Sequence, residues 1–248
     1  MLKLLCVTAH PDDEAGAFGG TLLFYHDRGV ETHVICLTAG TAARNRGPAR
    51  SNEELAALRS AEFAASCKLL KVSHYEVLDF TDGQLNRADF YHVVGELVRR
   101  LRQVRPQIVL TFGPDGGLTG HPDHGMAGVF ATMAFEWAGR PERYPEQLEQ
   151  GLQPHRAQKL YYIAANFVLP DFPRIAPPTV TARLDVGQER FEKKIEAFEQ
   201  HTTQAPLFGR LRKNLGHRRP VDMFHLAATR EPREAKAETD LFEGVVEE

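Results

Sequence analysis

The run LKLLCVTA, Leu2 to Ala9, is nearly all apolar. A strand of that composition has no side suited to water, so it must be covered on both faces. This restricts the chain to folds in which helices pack above and below a sheet. The following residues supply them in alternation. TLLFYHDRG (Thr21 to Gly29) reads as a short helix ending at Gly29, and VETHVICLTAG (Val30 to Gly40) as a second strand. After a polar loop carrying Arg44, Arg46 and Arg50, Ser51 opens a long helix that runs to Lys71, with Glu54 three residues on as a capping box. HYEVLDF is a third strand. Asn86 is placed to cap the next helix, in which Phe90, Val93, Val94, Leu97, Val98 and Leu101 recur at helical spacing and which ends at Pro106. QIVLTF (Gln107 to Phe112) is a fourth strand, and a Gly-rich loop leads into a helix from about Pro122 to Trp137. The alternation predicts right-handed βαβ units: an α/β, Rossmann-like, doubly wound and mostly parallel sheet with helices on both faces.

After Gly139 the pattern loosens. The segment Arg140 to Gln158 reads as a polar surface excursion, KLYYIAANF and TVTARLDV as strands, and Gln188 to His201 as a helix with Phe191, Ile195 and Phe198 on one face. We therefore expect a single domain over 1–248. Residues 1–139 form the Rossmann-like core, 140–228 an elaboration that completes the pocket, and 229–248 a charged tail that frays.

At 248 residues, 42% hydrophobic and 25% charged, the chain has ordinary globular composition and enough length for a sizeable core. A formal net charge of -3 gives no electrostatic reason to expect nucleic acid or an anionic membrane as partner. No apolar run approaches the ~20 residues of a membrane span, and the N-terminus lacks the pattern of a signal peptide. Three widely spaced cysteines, Cys6, Cys36 and Cys67, suit buried reduced thiols, so a cytoplasmic location is expected. There is no G-x-G-x-x-G after the first strand, which argues against a nicotinamide cofactor.

Two short motifs carry the chemistry. HPDDE, His10 to Glu14, follows the first strand, and HPDH, His121 to His124, follows the fourth. In a doubly wound sheet of order 3-2-1-4-5 those strands are neighbours, and their C-terminal ends flank the crevice where such folds bind ligands. Motifs more than a hundred residues apart should thus converge. Two imidazoles and a carboxylate make a three-ligand zinc site with open coordination for water. His10 and Asp13 are spaced for one metal, and one histidine of HPDH can complete the set. A carboxylate not spent on the metal can serve as general base. The remaining histidine can polarise a carbonyl or protonate a leaving group. Taken singly, each motif also reads as a helix start, with an aspartate as cap or Pro122 in the first turn. Their joint placement at adjacent strand ends is what favours a metal site. The same donors also describe a non-haem Fe2+ enzyme, and a non-catalytic sugar- or metal-binding protein can use the same fold.

AHPDDE together with HPDH resembles the PIG-L/LmbE-like family of zinc-dependent deacetylases, which remove acetyl groups from N-acetylglucosamine units and their conjugates. The resemblance covers at least Met1 to Trp137. It implies a hydrolase with one Zn2+ (Fe2+ being the alternative) held by His10, Asp13 and His124. It makes Asp12 the general base, His121 the group that stabilises the oxyanion or protonates the departing amine, and Asp123 the carboxylate that orients His121. Arg59, in an Arg-x-x-Glu pattern with Glu62, matches an arginine that contacts sugar hydroxyls in relatives, and Asp82 matches an aspartate with the same duty. HTTQ, His201 to Gln204, resembles an element near the family pocket, which makes Gln204 a further substrate-binding candidate. The implied partner is a small N-acetyl amino-sugar conjugate, and a homo-oligomer is among the states relatives adopt. The chain departs from mycothiol-type relatives at Thr119, where they carry a tyrosine, and its loop TAGTAARNRGPAR lacks their glycine-glutamate pair.

Overall fold

In a computed structural model that describes residues 1–168, 172, 176–216, 218–234 and 236–247, the first apolar run becomes the inner strand β1 (Lys3–Thr8). The single turn α1 (Asp13–Gly16) and the helix α2 (Gly19–His26) lead to β2 (Glu31–Thr38). Then come α3 (Asn52–Leu69), β3 (His74–Phe80), α4 (Phe90–Val104), β4 (Ile108–Thr111) and α5 (Pro122–Ala138). The remainder is α6 (Pro145–Glu149), β5 (Lys159–Ala164), β6 (Ala182–Asp185), α7 (Gln188–Phe198), α8 (Phe208–Leu215) and β7 (Val221–Thr229).

The seven-stranded sheet has the order β3-β2-β1-β4-β5-β7-β6. Its first five strands run parallel in the 3-2-1-4-5 order expected of a doubly wound fold. β1 lies between β2 and β4, with Cys6 opposite Val34 on one side and Leu110 on the other. Its side chains from Leu4 onward are buried, which is why the run carries almost no polar residue. One continuous core extends from Leu4 through Phe18, Leu22, Phe130 and Tyr161 to Leu241, and the chain is a single α/β domain. Cys6, Cys36 and Cys67 are buried free thiols, as their setting in apolar runs predicted. Among the described residues, no helix is long and apolar enough to cross a membrane.

Several local expectations are corrected. Asn86 does not cap α4. It lies inside a 3-10 turn, Leu85–Arg87, and Asp89 caps the helix by accepting from the His92 amide at 3.0 Å. Ser51 does cap α3, accepting from the Glu54 amide at 3.1 Å, but the Glu54 carboxylate returns to the Arg50 amide instead of closing a box on Ser51. The segment after Gly139 runs over the surface as expected, but it is anchored. The buried Arg102 guanidinium on α4 donates to the carbonyls of Ala138, Arg140, Arg143 and Tyr144 and to Gln147 Oε1, gathering α6 and its flanks around one cation. β7 was not expected. It pairs antiparallel with both β5 and β6 and carries the sheet beyond its parallel part.

The tail beyond Thr229 does not fray. Glu238 is buried, its Oε1 2.9 Å from Lys159 Nζ and 2.8 Å from Arg233, and its Oε2 accepts from the Tyr161 hydroxyl. Lys159 also donates to the Leu241 and Glu243 carbonyls at 2.9 and 2.7 Å. Leu241 joins the core, and its amide meets the Tyr25 hydroxyl at 2.7 Å. A charged segment can dock this way because each buried charge has an opposite charge and further hydrogen bonds beside it. Glu238→Ala strands Lys159 and Tyr161 without their acceptor. It should lower the unfolding free energy by about 3–5 kcal/mol in urea titrations; an unchanged value would mean the tail is not docked in solution.

Candidate active site

β1 and β4 are neighbours, and being parallel they release the chain at the same edge of the sheet. His10 leaves β1 there, and the loop after β4 delivers His121 and His124 at the start of α5. α5 can approach this closely because position 128 is glycine: a Cβ there would lie 2.3 Å from the Phe112 carbonyl oxygen. The three imidazoles converge, with centroid separations of 4.8 Å for His10 and His121, 5.2 Å for His10 and His124, and 5.1 Å for His121 and His124.

Carboxylates close around them. Asp13 Oδ1 is 3.0 Å from His124 Nε2, while Oδ2 accepts the amides of Ala9 (3.1 Å) and His10 (2.8 Å). His10 Nδ1 is 3.7 Å from that Oδ2, and His10 Nε2 is 3.1 Å from Asp82 and 3.4 Å from Asp123. His124 is held flat against Phe112, rings 4.1 Å apart and 11° from parallel, with Thr119 Oγ1 3.4 Å from its Nδ1. That leaves Nε2 for Asp13 and the pocket.

The charge balance of this cluster is that of a cation site. Burial alone would lower the His10 pKa, but bonds to Asp123 and Asp82 and the field of Asp13 push it up to about 10. Burial would raise Asp13, and His124 and His10 overcome that to hold it well below the usual carboxylate range. His121, exposed at the edge of the cluster, is lowered by desolvation of its ring and by the facing His10 and His124. The carboxylates that converge on His10 would suit a divalent ion as well. Among the described residues, His10, His121 and His124 each bring one ligand atom within 4.8 Å of the others, and so do His10, Asp82 and Asp123. Imidazoles and carboxylates converging in this way fit zinc and its divalent neighbours.

Asp12 stands beside this cluster. It adopts a left-handed backbone conformation, φ 116, that a non-glycine residue takes only when its surroundings compel it. Two side chains do so. Glu14 Oε2 accepts the Asp12 amide at 2.9 Å, and Arg59 donates to Asp12 Oδ2 at 2.9 Å, to the Pro11 carbonyl and, at 2.8 Å, to the Gly40 carbonyl. Gly40 has φ +69, and a Cβ there would come within 2.1 Å of Arg59. Burial pushes the Asp12 carboxyl up to about 6 against the pull of Arg59.

The structure places four of the expected site residues in contacts that the sequence did not suggest. The Asp123 carboxylate does not orient His121. It accepts the Gly83 and Leu85 amides at 2.7 and 3.2 Å and faces His10, while His121, besides its ring contacts with His10 and His124, accepts the Asp123 amide at its Nδ1 at 3.2 Å. Arg59 is buried and donates to Asp12 and to the carbonyls of Pro11 and Gly40. Asp82 is turned to His10 and to the Ala42 amide, 2.6 Å away. Gln204 is buried and donates to the Asn45 carbonyl at 3.2 Å, bracing the arginine loop. HTTQ does reach the site, through His201, whose Nε2 is 2.8 Å from Glu14 Oε1; Ser66 donates to the same oxygen. Thr202 and Thr203 are fastened to Glu62 of α3. The Glu14–His201 pair and the backing of His124 by Thr119 and Phe112 were missed. The only available sign was that HPDDE holds one acid more than a metal and a base require.

Residues 5–135 match the family described as "PIG-L: GlcNAc-PI de-N-acetylase". The diacetylchitobiose deacetylase of Thermococcus kodakarensis is 37% identical over 162 residues, 64% of this chain, which spans 60% of that relative's length. A 1D-myo-inositol 2-acetamido-2-deoxy-alpha-D-glucopyranoside deacetylase of Streptomyces avermitilis is 29% identical over 98% of this chain and 97% of its own. Among solved structures, the N,N'-diacetylchitobiose deacetylase of Pyrococcus horikoshii matches with a TM-score of 0.73 and 25% identity, over 90% of this chain and 83% of that one.

The Glu14–His201 pair has a measurable signature. Burial would lower the His201 pKa, but Glu14 raises it above 6.5. A group raised on folding stabilises fully below its unfolded pKa and loses that contribution as pH climbs through the folded value. The stability difference between wild type and His201→Gln should therefore be largest near pH 6 and shrink toward pH 9, read by urea unfolding. A gap independent of pH would mean the pair is not charged.

Proposed function

The chain belongs to the PIG-L family, and on that premise we propose that it is a zinc-dependent N-deacetylase acting on an N-acetylglucosamine conjugate or a related N-acetyl amino sugar. One observation carries the reading: a cluster of imidazoles and carboxylates suited to a divalent ion has a separate, partly exposed carboxylate, Asp12, fixed beside it by Arg59 and Glu14. A structural zinc is closed by its ligands and needs no such neighbour. The names of the relatives supply the substrate class.

His10, Asp13 and His124 would hold the ion. When bound, a divalent ion supplies Lewis-acid activation of a water molecule and of the acyl oxygen. Asp12 takes the proton of the attacking water, and its raised pKa suits a group that must both accept and return a proton near neutrality. Arg59 keeps that carboxylate aimed, so its part is positioning. The His121 Nδ1 accepts the Asp123 amide, which leaves the proton on Nε2, the donor available to the acyl oxygen as negative charge builds there. Collapse of the tetrahedral intermediate breaks the C–N bond. The amine takes the proton Asp12 had accepted, and acetate leaves.

The test is amine release by the zinc-loaded protein from N-acetylglucosamine, its malate and inositol glycosides, and chitooligosaccharides. Release from at least one member is expected, and silence across the panel would remove the reading. Asp12→Asn should retain metal and lose about 10²–10⁴-fold in turnover; full activity would remove Asp12 as base. His124→Ala should purify with its zinc content lost, and normal zinc content would overturn the ligand assignment.

A further inference from the structure

At the far end of the same sheet lies a second set of donors. Glu31 and His33 are two residues apart at the start of β2 and so project from one face. His74 opens β3 and is the register partner of His33 in the parallel ladder. The two rings stack with centroids 4.8 Å apart and 25° between planes. Both point Nε2 at one carboxylate oxygen: His33 is 2.6 Å and His74 3.8 Å from Glu31 Oε1. One ligand atom from each of the three lies within 4.8 Å of the others. The cluster is at the N-terminal ends of the strands, whereas the catalytic candidates are at the C-terminal ends. The five residue steps from His33 to Thr38 separate the two regions by roughly 16 Å of strand.

We propose that Glu31, His33 and His74 form a second metal site, for one zinc-class divalent ion, that clips the edge strand β3 to β2. Zinc takes nitrogen and oxygen donors at about 2.0–2.2 Å, which sets tetrahedral neighbours about 3.3 Å apart. The separations of 2.6 and 3.8 Å from Glu31 Oε1 bracket that value, so small rotations suffice. His33 and Glu31 are largely buried and held by the strand, while the His74 side chain is 68% exposed and free to swing the remaining distance. Its exposed side also leaves room for water as a fourth ligand. Lys3 is the competing cation, its Nζ 3.5 Å from Glu31 Oε1; its long stem lets the ammonium withdraw into solvent. Two imidazole nitrogens converging on one carboxylate oxygen, one of them hydrogen-bonded to it and the other 3.8 Å away, go beyond what a salt bridge with Lys3 requires. The site is independent of the deacetylase reading.

Metal content after dialysis of the full chain against micromolar free zinc tests this. Wild type should hold two zinc ions per chain, and His74→Ala, Glu31→Gln and His124→Ala one each, with amine release unchanged in His74→Ala. In the His124→Ala background, added zinc should raise the thermal unfolding midpoint, and adding His74→Ala should abolish that rise. A zinc content that His74→Ala and Glu31→Gln leave as high as in wild type, or a midpoint shift that survives the double substitution, would overturn the proposal, whereas loss of the other zinc alone would bear only on the deacetylase site.

Discussion

The rest of the molecule depends on β1 being buried on both faces between two parallel neighbours. A strand in that position has no use for polar side chains, and it forces helices onto both sides of the sheet. Parallel pairing also sets where the chain can change direction. β1 and β4 both end at one edge, so whatever follows each must meet there. HPDDE and HPDH form one cluster because of that meeting. A one-strand change in order would leave each as a helix start with surplus charge.

Charge is managed by pairing throughout. Three carboxylates surround His10, Glu14 faces His201, and Arg59 holds Asp12. In a dry interior each group alone would be neutralised or expelled. Paired, they stay in place, and Asp12 remains partly exposed as the acid left over. The C-terminal half contributes by the same rule: His201 and Thr203 brace the site from behind, and Glu238 ties the tail to Lys159 of β5. The inertness of the buried thiols follows as well, since burial pushes Cys6, Cys36 and Cys67 upward.

Much of the fold was legible because its signals are local. Apolar runs, helical spacing and turn residues depend on neighbours in sequence, and they located the five parallel strands and their order. β7 escaped because VDMFHLAAT is half-exposed along most of its length and does not read as a buried run. The cap of α4 was misplaced by three residues because Asn86 and Asp89 are both good caps and the intervening turn decides between them. The tail looked disposable because composition does not reveal that Lys159 and Tyr161 await an acceptor.

The sequence by itself determined the kinds of chemistry present: strands that demand a parallel sheet, and two motifs bearing more imidazole and carboxylate than a helix cap needs. Only the tertiary structure decided which group serves which. Arg59 turned to Asp12 instead of outward, Asp123 to His10 instead of His121, and Glu14 found His201. Hydrogen bonds and ion pairs are chosen by distances of about 3 Å in space, and spacing along the chain carries no information about partners 47, 113 or 187 residues away.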